Sequence, residues 1–128
     1  MEFIHAPKAC ASVGPYSHCV KAGSTYYLCG QVPFPPVTGL GLTPDGKLPE
    51  TIEEQTRQSL ENVKAVLEAA GLAVTDIAKT TVFVTNMDDF AAFNEVYAAF
   101  MGEHRPARVC VEVSNIAHGC LLEMDAIC

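Results

Sequence analysis

The segment Pro106-Ala107-Arg108-Val109-Cys110-Val111-Glu112-Val113 alternates between two kinds of side chain and predicts a β-strand. One face of this strand would carry only valines, at positions 109, 111 and 113. The other face would carry a guanidinium, a thiol and a carboxylate, from Arg108, Cys110 and Glu112. Because the valine face needs an apolar cover, we expect a layer of helices over it. The polar face is then the side on which chemistry could occur.

The last strand, Leu121-Leu122-Glu123-Met124-Asp125-Ala126-Ile127, repeats this arrangement. Its even-numbered positions are apolar, and two carboxylates lie on the opposite face among apolar residues. A short turn near Gly119 separates this strand from the preceding one. If the two strands pair through that turn, one face of one sheet holds Arg108, Cys110 and Glu123 together.

A hairpin and a long loop are predicted for the first part of the chain. Residues 18–21 and 24–30 have strand-like composition and flank a turn at Ala22-Gly23. Residues 33–50 are rich in proline and glycine and include a predicted turn at Pro44-Asp45-Gly46. We expect this long segment to be a surface loop, such as a lid or the rim of a site.

A capping box predicts where the first helix begins. Thr51 is the N-cap, Glu54 follows three residues later, and the helix should run to Ala70 and stop at Gly71. Its inner face is predicted to carry Thr56, Leu60, Val63, Leu67 and Ala70.

A strand and a second helix follow. Residues 79–85 are rich in threonine, valine and phenylalanine and predict the strand. The helix should start at a cap formed by Asn86 or Asp88 and end near Met101. Its inner face is predicted to carry Phe90, Phe93, Tyr97 and either Phe100 or Met101.

The predicted element order is β-β-α-β-α-β-β in a single domain over residues 1–128, which indicates an α+β fold. Two helices cover only one face of a single sheet. The other face, with its carboxylates beside Leu121 and Ile127, is either solvated or in contact with another copy of the chain. We expect a partly wet subunit interface, which is also where a small-molecule site would form.

Composition argues against several classes of function. The net charge is −7 and no run of Lys or Arg interrupts it, which disfavours tight binding to nucleic acid. The six cysteines form no CxxC pair and have no metal-ligand spacing to a histidine, so we expect reduced, mostly buried thiols and no metal site. The four histidines are scattered, and we expect each at the surface.

The sequence also bears on location and assembly. The N-terminus lacks the pattern of a signal peptide, and no run approaches the ~20 apolar residues of a membrane span. We therefore expect a cytoplasmic protein. A hydrophobic fraction of 49% is high for a monomer of this size and favours self-association.

Six stretches, in order along the chain, resemble motifs of the Rid family of reactive intermediate deaminases, also known as YjgF-type or endoribonuclease L-PSP proteins. They are Gly14-Pro15-Tyr16-Ser17, Gly30-Gln31-Val32-Pro33, EQTRQSLEN at 54–62, KTTVFV at 79–84, PARVCVEV at 106–113 and LEMDAI at 122–127. Several are weak singly, but together they span nearly the whole chain.

The resemblance implies a chorismate-mutase-like fold in which one mixed sheet carries two helices on one face. Three copies would pack their sheets into a central barrel, with sites at the subunit clefts. It also implies the activity of a 2-iminobutanoate/2-iminopropanoate deaminase. Such an enzyme hydrolyses reactive imines or enamines of amino-acid metabolism to 2-oxo acids and ammonia, with no cofactor.

The resemblance also assigns roles to residues. Arg108 matches the arginine that binds the substrate carboxylate, and Glu123 matches the glutamate placed near the attacking water. The positions that match pocket residues are Tyr16, Gly30, Asn94 and Cys110. These residue types suit the chemistry, because a guanidinium holds a carboxylate through two parallel hydrogen bonds and a carboxylate can take a proton from water.

The chain departs from the family pattern in three places. The loop at 33–50 is a few residues longer, His18 stands where glutamine or another polar residue is common, and residues 116–119 replace a Leu-Pro-Lys-Gly turn. Neither Arg108 nor Glu123 is affected, so the departures concern substrate preference.

Alternatives remain at the level of residues and of function. Arg108 and Glu123 could form a structural ion pair, Cys110 could be a packing thiol and Tyr16 could only anchor a turn. The chain could also be an endoribonuclease that cleaves single-stranded RNA and inhibits translation, or a non-catalytic binder of small carboxylates.

Overall fold

The computed structural model describes residues 1–36 and 48–128, in which six strands form one mixed sheet with two helices on one face. The strands are β1 (Glu2–Ile4), β2 (Cys19–Ala22), β3 (Thr25–Gln31), β4 (Lys79–Val84), β5 (Ala107–Glu112) and β6 (Leu122–Ile127). The helices are α1 (Ile52–Ala69) and α2 (Phe90–Met101), and 3₁₀ turns occur at Val74–Asp76, Met87–Asp89 and Ala117–Gly119. The sheet order is β1-β2-β3-β6-β4-β5, with β4 and β5 parallel and the other pairs antiparallel. The predicted α+β architecture is confirmed.

The predicted β2–β3 hairpin is confirmed, with each strand beginning one residue later than expected. Its turn includes Gly23, whose φ of +64° is a conformation that glycine adopts without strain. The predicted order lacks β1, because three residues are too few to show a period. Strand β1 is defined by its pairing with β2, in which Ile4 lies opposite Cys19.

The first helix begins where its cap predicts, whereas α2 begins at Phe90, after a 3₁₀ turn that the predicted cap opens. In α1 the Thr51 side chain accepts a hydrogen bond from the Glu54 backbone while the Glu54 carboxylate accepts one from the Thr51 backbone, so the capping box is confirmed. Asn86 caps the 3₁₀ turn that leads into α2. The inner faces of the two helices bury Thr56, Leu60, Val63, Leu67, Phe93, Tyr97 and Met101.

The expected pairing of the last two strands is wrong, because β4 lies between β5 and β6. The β4–α2–β5 segment is a parallel crossover unit, which places β5 on one side of β4 and leaves the other side to β6. Thr80 lies opposite Arg108 on one side and Ala126 on the other. Phe83 lies opposite Glu123. Arg108 and Glu123 are therefore on opposite faces of the sheet.

The expectation for the two faces of β5 is also wrong. Val109 and Val111 are 44% and 41% exposed on the open face, whereas Arg108 and Cys110 are half-buried on the helix side. The core under the helices is filled instead by β4 and β6, through Val82, Val84, Leu122, Met124 and Ala126. At an edge strand an arginine can bury its stem and keep its head at the rim, so the parallel register is tolerated there.

Most of the predicted loop at 33–50, including the turn at Pro44-Asp45-Gly46, lies outside the described residues. Among the residues that are described, neither helix has both the length and the apolar character that crossing a bilayer requires.

Candidate active site

Arg108 lies on the edge strand β5 with its guanidinium packed against aromatic rings of α2. The guanidinium carbon is 4.7 Å from the ring centroid of Tyr97, 5.5 Å from that of Phe90 and 5.6 Å from that of Phe93. Three- and four-residue spacing places these rings on one face of the helix. A guanidinium is weakly hydrated and stacks on aromatic faces, so the rings hold Arg108 in place and leave its charge intact.

Asn94 fixes the orientation of the same guanidinium. Nη1 of Arg108 donates a hydrogen bond of 2.8 Å to Oδ1 of Asn94. Tyr97 is itself held by a 2.8 Å hydrogen bond between its hydroxyl and that of Thr80. The only ion pair within residues 1–36 and 48–128 lies at the β1–β2 edge, so the structural ion pair considered for Arg108 is not found there.

A cleft of about 510 Å³ adjoins Arg108. It lies between the C-terminal half of α2 and the start of β5, and its lining consists of Asn94, Tyr97, Ala98, Met101, His104, Arg105, Pro106 and Arg108. The lining contains two guanidiniums and no carboxylate. A small anionic ligand therefore has both space and an unneutralised partner.

Cys110 lies two residues along β5 from Arg108 and packs against the core. Burial raises the pKa of the Cys110 thiol, and the nearby Arg108 charge offsets only part of that effect. Since the thiolate is the nucleophilic form, this geometry favours a packing or pocket-lining thiol over a nucleophile.

Glu123 is half-buried on the open face, above the backbone of Gly30. A Cβ added at Gly30 would lie 2.0 Å from Oε1 of Glu123, so only glycine admits this placement of the carboxylate. Burial, followed by the charge of Asp125, raises the pKa of the Glu123 carboxyl. A carboxyl whose pKa moves toward neutrality is better suited to exchange protons with water.

Tyr16 is 48% exposed in the segment between β1 and β2. Its hydroxyl accepts a 3.4 Å hydrogen bond from the Val13 backbone, and its own backbone N–H donates to the Gly14 carbonyl at 2.9 Å. Tyr16 thus anchors a turn, with an exposed ring.

The residues that the sequence predicts as a site form two groups in one chain. Arg108, Asn94 and Cys110 lie on the helix side of the sheet, and Glu123 lies with Gly30 on the open side. No hydrogen bond among the described parts of the chain joins Tyr16 to either group. The predicted juxtaposition of Arg108 with Glu123 is therefore absent within one chain.

His18 is only 1% exposed, so the expectation that each histidine lies at the surface is wrong for this residue. Its Nδ1 accepts a 3.2 Å hydrogen bond from the Ala6 backbone, so the ring proton is on Nε2, which donates to the Cys10 carbonyl at 2.8 Å. The ring thus fastens the segment that leads to Tyr16. Its position just before β2 is the only signal in the sequence that could have indicated burial.

Comparisons with known proteins by family profile, by sequence and by structure all find similar proteins over nearly the whole chain. A family profile described as endoribonuclease L-PSP matches residues 5–128. A RutC family protein of Pyrococcus horikoshii is 47% identical, covering 98% of this chain and 95% of the relative. The 2-iminobutanoate/2-iminopropanoate deaminase of Escherichia coli is 45% identical, covering 97% and 94% respectively. The crystal structure of Escherichia coli TdcF with bound serine has a TM-score of 0.89 at 42% identity, covering 99% of this chain and 97% of that one.

Proposed function

The chain belongs to the endoribonuclease L-PSP family, which is the Rid family that its motifs resemble, and from this membership we propose that it hydrolyses small 2-imino acids to 2-oxo acids and ammonia. The proposed substrates are 2-iminobutanoate and 2-iminopropanoate. Relatives that are 45–46% identical are named 2-iminobutanoate/2-iminopropanoate deaminase, and one that is 43% identical is named reactive intermediate deaminase, which supports enzymatic activity at the level of the family.

The observation that carries the proposal is Arg108 beside an open cleft without a carboxylate in its lining. Its Nη1 donates to Asn94 and its central carbon lies 4.7 Å from the ring centroid of Tyr97, so the guanidinium is positioned before any ligand arrives. A carboxylate bound through two parallel hydrogen bonds would fix the neighbouring C=N carbon in the cleft. TdcF, whose structure contains bound serine, binds a molecule that carries such a carboxylate.

The reaction needs a water molecule and a group that takes its proton. Water forms a C–O bond to the imine carbon and its proton moves to the nitrogen, which gives a tetrahedral carbinolamine. The remaining hydroxyl proton then moves to the nitrogen as the C=O bond of the 2-oxo acid forms and the C–N bond breaks, releasing ammonia. No oxidation or reduction occurs. Glu123 is the proposed base, because its carboxyl is half-buried with a raised pKa and is held above Gly30.

We propose that the site is completed by a second copy of the chain. Arg108 and Glu123 lie on opposite faces of one sheet, so one chain supplies the carboxylate grip and a neighbour supplies the base. The open face carries exposed Val109, Val111 and Tyr27, which packing into a central barrel would cover. A homotrimer with three such clefts is the proposed assembly, and the exposed ring of Tyr16 is available to close a neighbouring cleft.

The experiment couples this protein to a pyridoxal-phosphate threonine dehydratase and measures 2-oxobutanoate formation. The wild-type protein should accelerate the release of product. Arg108→Ala should lose at least about a hundredfold in kcat/KM, since it removes charge-assisted hydrogen bonds to the substrate.

Arg57→Ala is the matched control, because Arg57 is exposed on α1 and does not line the Arg108 cleft. It should retain wild-type activity. A folded Arg108→Ala variant with full activity would refute the proposal. Binding of 2-oxobutanoate without any acceleration would instead identify a non-catalytic binder of carboxylates.

A further inference from the structure

A second guanidinium lines the cleft beside Arg108. Arg105 is exposed in the segment between α2 and β5, three residues before Arg108, and both arginines line the same cleft. Nη1 of Arg105 donates to the carbonyls of Gly102 and His104, with 2.9 Å to the latter. These bonds use one nitrogen of the guanidinium, and the rest of the donor fork is available to a ligand.

The backbone between the two arginines is constrained. Pro106 fixes its own φ and favours an extended conformation at Arg105. Strand β5 begins at Ala107, where pairing with β4 fixes the position of the chain. The two arginines therefore lie on one short, stiff segment, and their Cα atoms are no more than about 11 Å apart.

The size and charge of the cleft exceed what a small monocarboxylate requires. Its volume of about 510 Å³ is within the range of sites for larger ligands, roughly 300–1,000 Å³. The chain has only eight Lys and Arg residues and a net charge of −7, yet two arginines line this cleft and no acidic residue of the same chain does. Two fixed positive charges on one cleft match a ligand with two negative charges.

We infer that the preferred substrates are 2-imino acids with a second carboxylate, the imines of acidic amino acids. Arg108 binds the carboxylate beside the C=N carbon, and Arg105 binds the distal one. This inference rests on the proposed imine hydrolysis and follows the same balanced reaction, in which water adds to the carbon and ammonia leaves. The distal carboxylate takes no part in bond breaking.

The alternative to ligand binding is a purely structural role, in which Arg105 caps the carbonyls of Gly102 and His104 at and just after the end of α2. Two substitutions separate the roles. Arg105→Gln keeps an amide donor for the Gly102 carbonyl and loses the charge. Arg105→Lys keeps the charge. Arg57→Gln, on the exposed face of α1, is the control for the change in net charge.

The test measures kcat/KM for the imine made from aspartate by an aspartate oxidase, relative to that for 2-iminobutanoate. The wild-type ratio should be above one, and Arg105→Gln should lower it roughly tenfold, the loss expected for one charge-assisted hydrogen bond. Arg105→Lys should retain most of the ratio, and Arg57→Gln should not change it. A ratio that Arg105→Gln leaves unchanged, or a wild-type ratio below one, would overturn the inference and leave the proposed hydrolysis intact.

Equilibrium binding covers the case in which no imine is hydrolysed and the proposed function fails. Calorimetry should then show 2-oxoglutarate binding more tightly than 2-oxobutanoate, with that preference reduced roughly tenfold in Arg105→Gln. Equal affinities in the wild-type protein would refute the two-guanidinium site by itself.

Discussion

Gly30 shows how a missing side chain positions a functional one. The Glu123 carboxylate occupies the space in which a Cβ of residue 30 would lie, with Oε1 2.0 Å from that point. No left-handed backbone conformation requires this glycine, so close approach alone explains it. The sequence motif around Gly30 marks the position, but the reason for it appears only when β3 and β6 are paired.

Gly30→Ala should therefore lower activity with little effect on folding. The added methyl group meets the free end of a flexible side chain, so the free energy of unfolding should change by less than about 1 kcal/mol. The displaced carboxylate should reduce kcat about a hundredfold, as expected for a misplacement of about 1 Å. The measurements are imine hydrolysis and urea unfolding at fixed protein concentration.

A double-mutant cycle is the control for this prediction. Gly30→Ala should cost little further activity in a Glu123→Gln background, because the carboxylate that it displaces is already absent. Independent, additive losses would show that Gly30 acts on the site by another route.

At the scale of elements, His18 joins the segment before β2 to the sheet through two backbone hydrogen bonds. His18→Leu would leave the Ala6 N–H and the Cys10 carbonyl without their partner in the interior. We expect the free energy of unfolding to fall by about 2–4 kcal/mol, measured by urea unfolding. His5→Leu is the matched control, since His5 is exposed and its ring is tilted against the His18 ring, with the centroids 4.8 Å apart. Equal effects of the two substitutions would contradict a special role for His18.

The elements that the sequence predicts well are those encoded locally. The capping box of Thr51 and Glu54 and the 3.6-residue period of α1 depend on neighbours within one or two turns, and both are confirmed. The strand that the alternation in β5 predicts is confirmed. Which of its faces meets the helices is not encoded in β5 itself. That face is set by the parallel register with β4, in which Thr80 lies opposite Arg108.

The contrast between local sequence signals and strand pairing also explains which contacts of the candidate site could be predicted. Arg108 and Asn94, which the family resemblance selects one by one, are joined by a hydrogen bond. The aromatic face of α2 that holds Arg108 is predicted as core packing, and its second role depends on the parallel crossover. The grouping of Arg108 with Glu123 fails because it assumes that strands adjacent in sequence are adjacent in the sheet, whereas β4 separates them.

At the scale of the whole molecule, one chain presents two incomplete surfaces. The helix side offers a cleft with positive charge, and the open side offers a carboxylate among exposed valines. In a closed ring of identical subunits, each copy can present one surface to each neighbour, so every surface is used. Such an arrangement accounts for both the apolar open face and the separation of Arg108 from Glu123.

A site shared between copies predicts that two inactive variants restore activity to each other. Arg108→Ala retains Glu123, and Glu123→Gln retains Arg108, so a mixed trimer contains clefts in which both groups are intact. After equal amounts are unfolded together and refolded, about a quarter of the clefts should be intact for random mixing, and activity should recover to about that fraction of wild type. Each variant refolded alone should stay inactive. If the mixture stays inactive while native mass spectrometry shows that mixed trimers have formed, the shared site would be refuted.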